Sequence, residues 1–254
     1  MPLVGTRANA SAGALGFGAK KGKLPYMWVV VGSSGAMQTS TDLPSSSMTW
    51  TDRTSSFGST AIYNIASSGS RFVAVGASGK LATSDNGIDW TQRTSSFGGT
   101  TSIFSVGYGN KEWVAVGTSK LAYSTDNGAT WTQFSVASFS PATSVGSAPK
   151  YGNGYWVVGG NNGDLIYATS VTGTWTRVAS GSGGTTLGTG ENVVSEYFSN
   201  VSLWVIGSDT NSTTNAIASA STPNTWTARS LPNSAAVNQQ FASNSSTIII
   251  ATNN

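Results

Sequence analysis

The chain has 254 residues, enough for one large β-domain, and contains neither cysteine nor histidine. This composition excludes disulfide scaffolds, Cys/His zinc sites and Ser-His-Asp catalysis. Only 9% of the residues are charged, against roughly 25% in an ordinary soluble domain. Ser, Thr, Gly and Asn fill the polar positions instead, which favours strands and turns over helices. No apolar run reaches the length of a membrane-spanning helix.

The formal net charge of +3 is unevenly distributed along the chain. Residues 1–25 are basic and contain no acidic residue, whereas the remaining chain has 9 basic and 10 acidic residues. The basic residues of this arm are Arg7, Lys20, Lys21 and Lys23. A basic, Gly/Ala-rich arm is suited to docking on an acidic partner. The body over residues 26–254 lacks a basic patch with interleaved aromatic residues, so we do not expect nucleic-acid binding.

A short apolar strand that ends in glycine or serine recurs along the body. Its five copies cover residues 28–32, 72–76, 113–117, 156–160 and 204–208. A Trp-Thr step follows each copy, at Trp50, Trp90, Trp131, Trp175 and Trp226. These tryptophans are 40, 41, 44 and 51 residues apart, a period typical of propellers and solenoids.

Each repeat contains four predicted strands, which we label A to D. In the second repeat they are Thr60–Ser67, Arg71–Gly76, Lys80–Ser84 and Asp89–Thr94. Short strands rich in Val, Ile, Thr and aromatic residues, separated by Gly/Ser/Asn turns, indicate an antiparallel meander. Four-stranded meanders with this period are the blades of a β-propeller. We therefore predict an all-β fold, a β-propeller with an extended N-terminal arm.

The repeats at the two ends of the body are incomplete. The first begins at strand B, over Met27–Gly32, and the last stops after strands at Val237–Ala242 and Thr247–Ala251. Because propellers commonly complete one blade with strands from both ends of the chain, we expect the C-terminal strands to close the ring. Five Trp-Thr steps predict five blades, and a ring of six blades with an incomplete sixth is the alternative.

Between strands C and D, two repeats share the pattern Ser/Thr-x-Asp-x-Gly-x-Thr/Asp-Trp, over residues 83–90 and 124–131. It resembles the Asp-box, or bacterial neuraminidase repeat, of sialidases and many other propellers. The resemblance implies structural turns at the blade periphery. The residues concerned are Asp85, Gly87 and Trp90, and Asp126, Gly128 and Trp131. One carboxylate per turn is a poor supply for calcium, so we predict no metal site.

The arginine pattern argues against a sialidase, which needs three arginines around one substrate carboxylate. Four of the six arginines follow Trp-Thr steps, which predicts them on outer strands of different blades. They are Arg53, Arg93, Arg177 and Arg229. Arginines so placed cannot converge on one central site. The sequence therefore predicts a protein that is not an enzyme and needs no cofactor.

A glycosidase with two carboxylates remains the enzymatic alternative. Its candidate is Glu196, which repeat alignment places on an inner A strand at the position of Asn64 and Ser105. A residue there could face the channel, but we find no convincing second carboxylate. A carbohydrate-active hydrolase is thus kept only as an alternative function.

Binding is the use that the loops of such a body favour, because propeller loops gather on one face. Tyr151, Asn153 and Tyr155 lie in a Tyr-Gly-Asn-Gly-Tyr turn that could stack on a sugar ring. With Glu196 they form the predicted contacts to a glycan or protein partner.

The first twenty residues are Met-Pro-Leu-Val-Gly-Thr-Arg-Ala-Asn-Ala-Ser-Ala-Gly-Ala-Leu-Gly-Phe-Gly-Ala-Lys. This segment resembles the opening of many tailed-bacteriophage virion proteins. The resemblance implies a structural protein of the phage particle, in a tail fibre or as a surface decoration. We expect Leu15, Phe17 and the basic residues of the arm to anchor it to other virion proteins. The propeller would then bind a host-surface glycan, a host protein or neighbouring subunits, and an oligomer fits this role. A cellular propeller scaffold or assembly factor is a further alternative.

Overall fold

The computed structural model describes residues 27–42, 47–143, 147–181, 184–188, 192–208 and 217–229, together with the strand backbone of 237–243 and 248–252. Within these residues the regular structure is β-strand, apart from one 3-10 turn at Ser33–Gly35. The all-β prediction is confirmed. The predicted anchoring residues lie outside the described residues. They are Arg7, Leu15, Phe17, Lys20, Lys21 and Lys23.

The strands form six antiparallel sheets in chain order, of which the first three lie before residue 135. Sheet 1 contains β1 (Trp28–Val31), β2 (Met37–Ser40) and β3 (Thr51–Asp52). Sheet 2 contains β4 (Ile62–Ser67), β5 (Phe72–Gly76), β6 (Leu81–Ser84) and β7 (Thr91–Arg93). Sheet 3 contains β8 (Ile103–Gly109), β9 (Glu112–Gly117), β10 (Lys120–Ser124) and β11 (Thr132–Phe134).

The other three sheets follow in the same manner. Sheet 4 contains β12 (Lys150–Gly152), β13 (Tyr155–Gly159), β14 (Leu165–Ala168) and β15 (Thr176–Val178). Sheet 5 contains β16 (Val193–Phe198), β17 (Leu203–Ser208), β18 (Ile217–Ala220) and β19 (Thr227–Arg229). Sheet 6 contains β20 (Val237–Ser243) and β21 (Ile248–Thr252). Sheets 2 to 5 are thus the predicted four-stranded meanders, with strands A to D in order.

The incomplete repeats at the two ends are also found as sheets. Sheet 1 has three strands and begins at strand B, and sheet 6 has two strands. Closure of the ring by β20 and β21 stays a prediction. The chain divides into two compact units, one formed by residues up to Gly117 with Ala122–Gln133, the other by Thr118–Leu121 with residues from Phe134 onward.

The middle strands of each complete sheet are largely buried on both faces. In sheet 2, every residue of β5 and β6 is buried, whereas the first two residues of β7 are exposed. Such strands lose the alternation of apolar and polar residues because both of their faces are covered. This explains why the recurring apolar strands were recognisable in the sequence, while the outer D strands carried only a Trp-Thr step.

A buried aromatic side chain lies near the start of strand B in each complete sheet. These residues are Phe72, Trp113, Trp156 and Trp204, each at most 1% exposed or fully buried. In sheets 3, 4 and 5 the cross-strand partner on strand A is a tyrosine, with ring centroids 4.7 to 5.5 Å apart. Cross-strand aromatic pairs of this kind stabilise a sheet through both buried area and ring geometry.

The hairpin turns are tight because their central residues adopt positive φ. Ser78 and Gly79 have φ of 56° and 64°, and Asn153 and Gly154 have φ of 46° and 80°. Two successive residues with positive φ match the twist of the flanking strands, as in type I′ turns. Local sequence thus fixes the register of neighbouring strands.

The loop that leaves strand D inserts an apolar side chain into the core between its own sheet and the next. In the sequence Ser55-Ser56-Phe57-Gly58, Phe57 is 1% exposed and packs in the core of sheets 1 and 2. The Ser55 hydroxyl donates a hydrogen bond of 2.7 Å to the Gly35 carbonyl, which ties the loop to the turn between strands B and C. The pattern recurs as Ser95-Ser96-Phe97-Gly98, and in the second unit as Thr185-Thr186-Leu187-Gly188.

These loops explain the glycine in the B–C turns of sheets 1, 2 and 4. A Cβ at Gly79, whose φ is +64°, would lie 1.9 Å from the carbonyl oxygen of Gly98. Real Cβ atoms do not approach an oxygen so closely, and positive φ is itself unfavourable for other residues. Gly35 and Gly163 make the same approach to Gly58 and Gly188.

We expect Trp131→Ala to lower the free energy of unfolding by about 3–5 kcal/mol, because truncating a buried indole leaves a cavity. Trp131 is 7% exposed, whereas Trp50 at the same repeat position is 38% exposed. The control Trp50→Ala should therefore cost about 1 kcal/mol. Urea unfolding followed by circular dichroism measures both. Equal costs would contradict the structural alignment of the repeats.

Candidate binding surface

The predicted Tyr-Gly-Asn-Gly-Tyr turn is the hairpin between β12 and β13. Tyr151 pairs across the strands with Trp156, and the two rings meet edge to face at 5.5 Å. Tyr155 lies on the opposite face of the sheet and meets the ring of Tyr167 at 6.0 Å. Successive side chains of a strand point to alternate faces, so Tyr151 and Tyr155 do not form one stacking platform. The expectation that they stack on the same sugar ring is not supported by this geometry.

Glu196 lies on β16, the inner strand of sheet 5, as the sequence predicted, but not at the predicted register. Glu196 pairs with Val205, the residue after the B-strand aromatic Trp204. The equivalent residue in sheet 2 is Val73, which follows the B-strand aromatic Phe72. Since Val73 pairs with Ala66, Glu196 is equivalent to Ala66 and not to Asn64. The hairpin between β16 and β17 explains the difference, because it has four residues between its last pair, Phe198 and Leu203, whereas the hairpin between β8 and β9 has two, between Gly109 and Glu112.

The carboxylate of Glu196 binds the ammonium group of Lys150, with a Nζ–Oε2 distance of 2.7 Å. Lys150 lies on β12 of the neighbouring sheet, and both side chains are about one-third exposed, at 35% and 29%. An ion pair at this exposure contributes little to stability. Its groups remain accessible to a polar partner.

Gly152 allows the two inner strands of sheets 4 and 5 to approach each other. A Cβ at this position would lie 2.2 Å from Cγ of Tyr197, so the tyrosine ring packs directly on the glycine backbone. We call the half-buried residues gathered here the inner-strand cluster. Its members are Lys150, Tyr155, Tyr167, Glu196 and Tyr197. Tyr155, Tyr167 and Tyr197 pack against the core of sheets 4 and 5, and the Lys150–Glu196 ion pair joins the two inner strands.

Sequence reasoning missed Lys150, Tyr167 and Tyr197. Tyr197 carried a usable signal, because a tyrosine precedes the B-strand tryptophan in three repeats. The spacing is five residues for Tyr108 and Tyr151 and seven for Tyr197. Tyr167 and Lys150 carried none, since only the register between strands places them on the face of sheet 4 that meets Tyr197. Asn153 was predicted as a contact residue, and its amide donates a 3.3 Å hydrogen bond to the carbonyl of Ser221 in sheet 5.

The turn between strands C and D of sheet 3 is organised around Asp126. Its carboxylate accepts hydrogen bonds from the Ser124 hydroxyl at 2.7 Å, and from the amide and hydroxyl of Thr130 at 2.9 and 2.5 Å. Burial opposes ionisation, but these hydrogen bonds outweigh it and lower the pKa of Asp126 to about 2. Asp126 therefore has a structural role in the turn.

In sheet 2 the corresponding role falls to Asn86, not to the predicted Asp85. The Asn86 side-chain oxygen accepts hydrogen bonds from the amides of Ile88 and Asp89, each 2.8 Å long. Asp85 instead forms a two-pronged ion pair with Arg71, at 2.5 and 2.8 Å. The hydrogen bond from Arg71 lowers the pKa of Asp85 below its usual range. The turn in sheet 2 is one residue shorter, which shifted the sequence alignment by one position.

The turn glycines and tryptophans occupy equivalent places in the two sheets. The indole N–H of Trp90 donates to the carbonyl of Gly87, and that of Trp131 donates to Gly128, both at 3.1 Å. Gly87 and Gly128 both have positive φ. These four residues therefore close their turns as local structural elements.

The part of the chain that the structure describes contains no group of three or more acidic residues that could hold a metal ion. Among the same residues, no helix has the length and apolar character needed to cross a lipid bilayer.

No protein-family model matches the sequence, and neither does any curated protein. Solved structures do match. Virginiamycin B lyase from Staphylococcus aureus has a TM-score of 0.63 at 10% identity, over 89% of this chain and 73% of the lyase. YCF48 from Cyanidioschyzon merolae has a TM-score of 0.60 at 16% identity, over 89% and 76% of the two chains. YCF48 bound to D1 peptide has a TM-score of 0.56 at 13% identity, over 86% and 68%.

These similar structures are β-propellers. This chain has the β-propeller fold. At such low identity the likeness shows the fold alone, and sheets 2 to 5 can now be called blades.

The pKa of Asp126 predicts a loss of stability in acid. The pKa of about 2 in the folded protein lies below the ordinary aspartate value of 3.8, so the ionised carboxylate stabilises the fold above about pH 4. This contribution is lost as the pH falls from about 4 towards 2. Thr130→Val removes one hydrogen bond and should reduce the slope of stability between these pH values. Urea unfolding at a series of pH values measures this slope, and Thr132→Val, at an exposed position, is the control. Identical slopes of unfolding free energy against pH for the two variants would contradict the role of Thr130.

Gly152→Ala should destabilise the contact between the inner strands of blades 4 and 5, by about 1–3 kcal/mol as expected for overpacking. Gly99→Ala is the matched control, because a Cβ there meets no atom within 4 Å. In the Tyr197→Ala background the cost of Gly152→Ala should fall, since the clashing ring is gone. Additive costs in this double-mutant cycle, measured by urea unfolding, would contradict the contact.

Proposed function

We propose that this propeller is a non-enzymatic structural and binding component of a phage particle, in a tail fibre or as a surface decoration. The observation that carries the non-enzymatic part is the state of the carboxylates. All eight in the described part of the chain interact with other groups of the protein: Asp42, Asp52, Asp85, Asp89, Glu112, Asp126, Asp164 and Glu196.

A glycosidase would instead need a carboxylic acid with a raised pKa close to a second, ionised carboxylate. Asp85 and Asp126 have lowered pKa values, which is the opposite of what an acid catalyst requires. Glu196 has the ammonium group of Lys150 beside it. Hydrolysis of a glycan that disappears in Glu196→Gln would overturn the non-enzymatic proposal.

The virion setting rests on the sequence of the arm over residues 1–25. Its opening resembles the leaders of phage virion proteins, and its positive charge suits contact with an acidic virion subunit. A body with few charges and a Ser/Thr-rich surface is consistent with exposure on a particle. The binding face of the proposal is the inner-strand cluster, which offers phenol rings and one ion pair to a host-surface or virion partner.

A peptide-binding scaffold is the second candidate. One similar structure is that of YCF48 bound to D1 peptide. The inner-strand cluster contains one ammonium group and one carboxylate, which suit the polar backbone or the charged termini of a peptide. Purification with a complex from uninfected host cells, lost in the double variant Lys150→Met, Glu196→Gln, would favour this candidate over the virion component.

The test of the virion role is peptide mass spectrometry of purified, nuclease-treated particles, with copy number measured against the major capsid protein. We expect many copies for a decoration protein and few for a tail-tip fibre. Absence of the protein from particles would overturn the proposal.

Deletion of residues 1–25 should abolish incorporation into particles, because it removes the proposed anchor, while leaving a folded propeller with unchanged circular dichroism. A companion variant with Lys20, Lys21 and Lys23 changed to Gln keeps Leu15 and Phe17, and so separates charge from apolar contact. Normal incorporation of the deletion variant would show that the arm is not the anchor.

A further inference from the structure

Three arginines at the outer strands are held by the same contact. In each case Nε donates a hydrogen bond to a hydroxyl of the adjacent strand C, and that hydroxyl-bearing residue is at most 5% exposed. The pairs are Arg53 with Thr39 at 2.8 Å, Arg93 with Thr83 at 2.9 Å, and Arg229 with Ser219 at 2.7 Å. One nitrogen of each guanidinium group is thereby fixed against its own sheet.

The terminal nitrogens of these arginines take no part in that contact. Within the described residues, none of the three arginines forms a salt bridge, the ion pairs being Arg71–Asp85, Lys150–Glu196 and Arg177–Asp164. Arg93 lies near enough to Asp85 to help lower its pKa, but the Asp85 carboxylate is bound by Arg71. A guanidinium held at Nε presents its two terminal nitrogens as a pre-oriented fork for an oxyanion.

An exposed threonine accompanies each of these arginines. Thr51, Thr91 and Thr227 belong to the Trp-Thr steps and lie two residues before Arg53, Arg93 and Arg229. Residues two apart on a strand share a face and are separated by about 7 Å. Each position therefore offers a hydroxyl group and a guanidinium fork side by side at the edge of a sheet.

The other two blades show that this arrangement is not a general feature of strand D. In blade 3 the arginine position holds Phe134, whose ring stacks with Trp175 at 5.1 Å. In blade 4 the sequence grouped Arg177 with the other arginines, and it does lie on the outer strand. It pairs with Ile166, however, while Arg93 pairs with Leu81, the equivalent of Leu165. Arg177 thus faces the opposite side of its sheet, where it binds the carboxylate of Asp164 at 2.5 Å.

We propose that the Thr-x-Arg positions of sheets 1, 2 and 5 bind an acidic polysaccharide. Sulfate or carboxylate groups of the chain would each accept two hydrogen bonds from a terminal guanidinium fork, and the threonine would bond a neighbouring sugar hydroxyl. Isolated single charges paired with hydroxyl groups suit a polymer that carries anionic groups and hydroxyls along its length. They suit an acidic protein segment less well, because its carboxylates bring no hydroxyl groups. The inference holds whether or not the protein belongs to a virion.

Side-chain NMR of the full chain labelled with ¹⁵N-arginine tests the proposal directly. The chain has six arginines, and Arg→Lys variants assign their Nε–H signals. Oligomers of dextran sulfate and of polygalacturonate should shift the signals of Arg53, Arg93 and Arg229, whereas neutral dextran should not. Shifts confined to Arg7 would mean that the arm alone binds polyanions and would overturn the proposal, as would the absence of shifts with both acidic oligomers.

Affinity measurements separate the fork from net charge. Arg93→Gln should raise the dissociation constant for dextran sulfate about tenfold, the loss expected for a charge-assisted hydrogen-bonded pair. Lys111→Gln is the matched control, because it removes the same charge from an exposed turn, and should change affinity no more than about twofold. Equal effects of the two variants at one ionic strength would overturn the proposal.

Two further variants keep the test valid if Arg93→Gln fails to fold. Arg93→Lys retains the charge but lacks the fork, and Thr83→Val removes the hydroxyl that orients Nε. Both should weaken binding of dextran sulfate while retaining the charge. Wild-type affinity in both variants, or equal affinity of the wild-type protein for poly-glutamate, would contradict an oriented site for an acidic polysaccharide.

Discussion

The fold depends on a close approach of backbone to backbone where the chain passes from one sheet to the next. A glycine of the B–C turn lies against the carbonyl of a glycine in the loop after strand D, at a distance that leaves no room for a Cβ. Gly79 and Gly98 form one such contact. Because the loop is held this close, Phe97 reaches the core between its own sheet and the next. A side chain at Gly79 would push out the loop and with it the aromatic residue that fills the core.

The charged residues are few, and most of those described hold turns or sheet edges in place. Arg71 connects Asp85 of blade 2 with the carbonyl of Asn127 in the turn of blade 3. Asn153 makes an equivalent contact from the hairpin of blade 4 to the turn of blade 5. The chemistry left for partners is consequently that of phenol rings, hydroxyl groups, the Lys150–Glu196 pair and the arginine forks.

The period of the sequence was sufficient to predict the blades, because strands buried on both faces stand out as apolar runs. It was insufficient for the candidate site, where faces and registers decide which residues meet. Two extra residues in the hairpin between β16 and β17 moved Glu196 by two positions, a turn shorter by one residue transferred the role of Asp85 to Asn86, and Arg177 sits on the other face. Since side chains alternate along a strand, one inserted or missing residue reverses the face of every residue that follows. Of these three shifts, that of Arg177 is visible in the sequence, because Arg177 follows its tryptophan by two residues whereas Arg53, Arg93 and Arg229 follow theirs by three.

The tight hairpins bear on how the chain folds. Several turns have two central residues suited to positive φ, and the turns within a blade join strands that are adjacent in sequence, so most pairing within a blade has low contact order. Low contact order favours rapid folding. Each meander can thus form soon after its strands leave the ribosome, and its apolar B and C strands spend little time exposed to other chains.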